Sequence, residues 1–201
     1  MRIHDWRLLV VLALLATALL LAVPGVAGAH VKAKYKAEYR AKVTSLNNGL
    51  LAFARNFENM KEGAIGQAQT LAPMIGDPVQ HEQLVNGENW CLGIYNRAKD
   101  QPEKWDYAYA KSINAFKGKA ARYFATAAQQ RTFKHACDEF KSYGGVLIEL
   151  ANEHVYDAYH ELGYDPPNID RSAKAIADAE DAAATAREGW TRWLVALRSL
   201  Q

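Results

Sequence analysis

Large apolar side chains recur along residues 39–64 in steps of four and three: Tyr39, Val43, Leu46, Leu50, Phe53, Phe57, Met60 and Ala64. That beat is the seam of a helix packed lengthwise on other helices. At 1.5 Å per residue the seam is about 39 Å long, so its partners must be helices or hairpins of similar length. No proline follows Pro24 until Pro73, so the first helix is expected from near Val31 to a turn at Pro73, Gly76, Asp77 and Pro78.

A second helix is expected over residues 79–99, with Leu84, Cys91, Tyr95 and Ala98 on one face and Asp100-Gln101-Pro102 as its end. The third takes Pro102 and Glu103 into its first turn and carries Trp105, Tyr109, Ile113, Phe116, Ala120, Tyr123 and Ala127 at steps of three and four. The stripe returns as Phe133, Cys137, Phe140, Gly144, Leu147, Ala151, Val155, Ala158 and Leu162. On a wheel of 100° per residue it is rotated by about 120° from the preceding one. One straight helix cannot turn both stripes toward one core, so residues 129–132 read first as a short turn between antiparallel helices, with Thr132 as N-cap, and second as a sharp irregularity.

Beyond the Asp165-Pro166-Pro167-Asn168 loop, a last track runs through Ile169, Ala173, Ile176, Ala179, Ala183, Ala186, Trp190, Leu194 and Leu197. Glu180 and Arg187 fall at its edge. Together the tracks specify an all-α, up-and-down bundle of four to five helices, forming one domain over residues 30–201.

The first 29 residues have a different character. Arg2 and Arg7 precede an unbroken apolar run, residues 8–23, followed by Pro24-Gly25 and by Val26-Ala27-Gly28-Ala29. This is the form of a signal peptide cut after Ala29, which makes the domain secreted or periplasmic, at the cell envelope. Downstream lie Lys32, Lys34, Lys36, Arg40 and Lys42 against Glu38 alone, more positive charge than precedes the run. An uncleaved segment is therefore the alternative, as an anchor facing outward or, by the positive-inside rule, reversed. The basic turns, interleaved with Tyr35 and Tyr39, read first as a solvated lysine face and second as a contact for anionic lipid or wall polymer.

The whole chain has 24 Lys and Arg and 22 Asp and Glu; without Arg2, Arg7 and Asp5 the domain has 22 and 21. That balance supplies no general electrostatic reason to bind nucleic acid. Membrane contact is expected only if the leader is retained.

Cys91 and Cys137 sit on apolar faces of different helices, and in an exported protein two thiols meeting in a core oxidise. A disulfide between them is expected, contributing about 4 kcal/mol by loop closure. The weak metal candidates are His30, whose imidazole and free amine would together grip copper after cleavage, and the pair Asp157 and His160. His135, Asp138, Glu139, Glu149, Glu153, Asp157 and His160 all lie opposite the apolar stripe, as a solvated face does. His81-Glu82 and His160-Glu161 open like the zinc-protease signature, but Val85 and Tyr164 stand where its second histidine belongs. Met60, a conceivable haem ligand, is on the seam and reads as core. Trp193, beside the last track, is the residue expected to make an exposed partner or membrane contact.

No Gly-x-Ser-x-Gly, phosphate loop or dinucleotide fingerprint occurs. The sequence therefore points to an exported, non-enzymatic bundle without cofactor, a binding or structural module whose partner is a protein or envelope component. A metal- or haem-binding exported bundle and a membrane-tethered partner-binding protein are the alternatives.

Overall fold

The structure is a computed structural model that describes residues 30–201; the expected leader, residues 1–29, lies outside the described residues. Seven α-helices follow in order: α1 (Lys36–Leu71), α2 (His81–Ala98), α3 (Gln101–Lys117), the single turn α4 (Ala120–Tyr123), α5 (Ala127–Val146), α6 (Asn152–Leu162) and α7 (Ile169–Ser199). A π-helical turn, Leu147–Ala151, joins α5 to α6 in one continuous rod. A short break at residues 99–100 divides α2 from α3, which lie end to end against α6 and α5. The result is four helices packing against each other, the lower of the two numbers expected, with no strand among the described residues.

Alternation of direction follows from the contacts that cross between rods. Tyr39 of α1 donates its hydroxyl to the Leu197 carbonyl of α7, 2.9 Å away, and Lys42 donates to Ser112 Oγ of α3. At the far end Tyr159 of α6 donates to the Met60 carbonyl of α1. One end of the bundle therefore gathers the start of α1, α4 with its flanking loops and the end of α7. The other gathers the α1–α2 and α6–α7 loops.

The first seam is confirmed. Tyr39, Val43, Leu46, Leu50, Phe57 and Ala64 are buried, while Phe53 and Met60 are partly buried against the same core. Along α7, Ala179, Ala183 and Ala186 are buried, and Glu180 and Arg187 sit at the edge, where they reach α1. Lys61 pairs with Glu58 and Glu180 at 2.9 Å, and Arg187 pairs with Glu58. Burial works against the Glu58 charge, but hydrogen bonds from Lys61 and Arg187 outweigh it and hold its carboxyl below the usual range. Two glycines permit close approach: a Cβ on Gly144 would collide with the Tyr109 ring, and one on Gly189 with the Tyr143 ring.

The break between the third and fourth stripes is displaced from its expected place. The chain leaves α3 at Gly118, makes α4, and re-enters helix at Ala127, so residues 129–132 are already helical. The N-cap is Thr126, not Thr132: its hydroxyl accepts from the Gln129 backbone N–H while the Gln129 side chain accepts from the Thr126 N–H. Thr132 donates to the Ala128 carbonyl one turn back. Ala127, counted as core, is exposed.

The π turn had no counterpart in the sequence reading. Immediately after it Asn152, 99 % buried, donates Nδ2 back to the Leu147 carbonyl at 2.8 Å, and its Oδ1 meets no partner. An insertion of this kind widens the helix locally.

Candidate functional site

The structure separates the residues that sequence reasoning singled out. Cys91 and Cys137 are both buried, free and not near each other, so the expected disulfide is not formed. Cys91 lies beside Tyr159, whereas Cys137 adjoins Tyr39 and Tyr109. By helical rise those levels are about 30 Å apart along the α5–α6 rod. Lying on inward faces of two neighbouring rods was not enough; Cys91 on α2 faces α6 and Cys137 on α5 faces α3, so the two thiols occupy different heights. Burial pushes the Cys91 thiol up to about 12 and the Cys137 thiol higher still, which makes both poor nucleophiles.

His30 is exposed where the chain enters the bundle, beside Val31, whose N–H donates to the Leu200 carbonyl. His160 is at the opposite end, stacked on Tyr95 (centroids 4.4 Å apart) and against Tyr164 (5.0 Å). Asp157 is exposed, and its nearest histidine contact is His154, at 3.9 Å. No three His, Cys, Asp or Glu side chains among the described residues are placed to hold a metal ion. Trp193 is half-buried, with its ring 5.1 Å from that of His135 and its body against the core.

What the fold does assemble is two chemically opposite ends. Dividing each rod at its middle, residues 30–53, 100–143 and 185–201 carry 16 Lys and Arg against 7 Asp and Glu; residues 54–99 and 144–184 carry 6 against 14. The near balance of the domain conceals this segregation. At the tip of the first end, residues 30–42, 111–134 and 192–201 hold 13 cations and a single acid, Glu38.

The basic end is tightly closed. Tyr39, Phe116, Tyr123, Phe124 and Phe133 form a buried aromatic cluster with ring centroids 5.0 to 6.1 Å apart. Lys32 donates its backbone N–H to Tyr123 and its Nζ to Ala121. Glu38 accepts from Arg122 at 2.6 Å, from Lys119 and from the Tyr123 hydroxyl. Those donors, Arg122 first, hold its carboxyl below the usual range. Arg122 also lies over the Tyr35 ring, 4.6 Å from its centroid.

The acidic end is closed less completely. Glu88 of α2 sits on the inward face, one turn from both Leu84 and Cys91. It is 5 % exposed, and its Oε1 has no hydrogen-bond partner. Burial and the neighbouring Asp165 charge push its carboxyl above the usual range, with His81 pulling the other way. Met74, Gly76, Asp77, Pro78, His81 and Leu84 line an open concavity of about 320 Å³ beside it. Gly76 makes the turn there with φ +80°. Ile65, Ile75, Val79, Trp90 and Tyr164 are exposed at this end, Val79 at 89 % and Trp90 at 49 %. The tip of the basic end exposes no large apolar side chain among its described residues.

Sequence reasoning missed Glu88, although it completes the 84, 91, 95 stripe at the expected step; an acid inside an apolar stripe was the available signal. It also treated charge as a total, which no linear count resolves until the direction of each helix is known. No protein-family model, curated protein or solved structure matches the chain.

Proposed function

We propose that this protein is a non-enzymatic helical bundle of the cell envelope, exported or held there by its leader, and a binding or structural module that meets a protein partner through its acidic end. The observation that carries the reading is the gathering of Ile65, Ile75, Val79, Trp90 and Tyr164, exposed, at the end away from the chain's entry. Exposed apolar and aromatic side chains set among a surplus of one sign of charge are the composition of a protein contact. The surrounding carboxylates favour a partner with a basic surface. A partner bound there meets the domain at its outer end if the leader holds the other.

The test uses Val79→Cys in the full chain, since the two native thiols are buried. A membrane-impermeant maleimide applied to cells stripped of any outer barrier labels this cysteine before lysis, and the labelled chain fractionates with the envelope or outside the cell. Labelling only after lysis, with the protein in the cytosol, overturns the envelope reading.

A further inference from the structure

We infer that the basic end is a seat for anionic phospholipid headgroups, which holds the bundle upright on a membrane surface. The 13 cations at this tip come from three separate stretches of chain and converge only in the fold. Glu38, the one acid within those stretches, is already occupied by Arg122, Lys119 and Tyr123, while Lys117 pairs with Asp138 and Arg192 with Glu188 just beyond them. Lys34, Lys36, Arg131 and Lys134 are exposed and make no ion pair among the described residues. A solvated cluster of like charge repels itself, and an anionic surface relieves that repulsion.

The occupant is chosen by where the chain enters. His30 emerges at this end, beside Leu200, and only six residues, 24–29, separate it from the apolar run of residues 8–23. Six residues reach at most about 20 Å. An inserted run therefore keeps this tip, and not the acidic one, near the headgroups, within about two Debye lengths at physiological salt. Tyr35, under Lys34 and Arg122, adds an aromatic side chain of the kind found at that depth. Each Lys or Arg close to an anionic bilayer strengthens association about fivefold, so four unpaired cations suffice to hold one orientation. The inference uses the envelope reading only for the leader; recovery of the chain from the cytosol would end that reading without altering the behaviour of this surface on vesicles.

The test is made with the full chain reconstituted in vesicles of phosphatidylcholine, alone or mixed with phosphatidylglycerol. A dye is attached at Ala127→Cys, in the basic tip, or at Val79→Cys, about 50 Å away along the bundle. With a headgroup-borne quencher and phosphatidylglycerol present, the dye at position 127 is quenched and that at 79 is not. High salt removes the difference, as does the combined change Lys34→Gln, Lys36→Gln, Arg131→Gln and Lys134→Gln. The salt series uses no charge variant, so it stands even if that variant folds poorly. Equal quenching at the two positions, or quenching at 127 that is the same without phosphatidylglycerol and in high salt, overturns the proposal. Release of the tip from phosphatidylglycerol vesicles by stoichiometric duplex DNA would assign the surface to nucleic acid instead.

Discussion

At the end where the chain enters, five aromatic rings interlock beneath a ring of cations, and backbone hydrogen bonds tie Val31 to Leu200 and Lys32 to Tyr123. At the other end the loops leave a 320 Å³ concavity, a buried carboxyl with an unpartnered oxygen, and apolar side chains facing water. The difference separates two kinds of surface. The first end is closely packed and, at its tip, polar, suited to meeting a diffuse charge without changing shape. The second retains unspent apolar area and an unsatisfied acid, which a partner can still cover.

The comparison breaks most easily at Phe133, which is fully buried and touches four of the rings around it. Phe133→Ala should lower the unfolding free energy by about 3–5 kcal/mol, whereas Trp90→Ala, half-exposed at the other end, should cost about 1 kcal/mol or less. Urea titration of both variants checks this. Equal losses would mean that the ends are closed alike.

Glu88 gives the next effect, with the opposite sign. Glu88→Leu removes a covered, unpartnered carboxyl and should stabilise the fold at pH 7 by about 1 kcal/mol, limited by the thin cover at the end of the bundle. The pH dependence sharpens the contrast. The Glu88 carboxyl is raised in the folded state, so its contribution is fully present below its unfolded value of 4.5 and is lost as pH rises through the folded value. Glu38 is lowered, so its contribution is present above 4.5 and is lost as pH falls through the folded value. Acidification from pH 6 to 4 should therefore loosen amides around residues 32–38 and 119–123 while tightening those around 84–91, once hydrogen exchange is corrected for its intrinsic rate. A change of the same sign at both ends would contradict the assignment.

The smallest effect is chemical. Neither Cys91 nor Cys137 should react with a thiol reagent at neutral pH in the folded protein, and two thiols should titrate after denaturation without reductant. One disulfide and no thiol would contradict the separation of the two cysteines in the fold.

Much of this fold was legible because helix periodicity is local. The heptad seam of α1, the Pro102 start and the Pro166-Pro167 loop all depend on residues within a turn or two of one another. The α3–α5 break was misplaced because Ala127 and Ala128 continue an apolar step although they face water, while the decisive signal, Thr126 paired with Gln129, is a cap that reads plainly only once a helix start is supposed there. The π turn coincides with the one place where the fourth stripe makes two successive steps of four, Leu147 to Ala151 to Val155, a faint mark in the sequence. The ends, and the height at which each cysteine lies, depend on how four rods are aligned, and no local pattern contains that alignment.

The segregation of charge between the ends is the claim on which both functional readings rest, and amide proton relaxation by charged nitroxides tests it most directly. An anionic nitroxide should enhance relaxation most around residues 32–40, 117–134 and 192–201, and a cationic one most around 76–82 and 157–170. Equal enhancement at both ends by both probes, or the two patterns exchanged, would contradict the account.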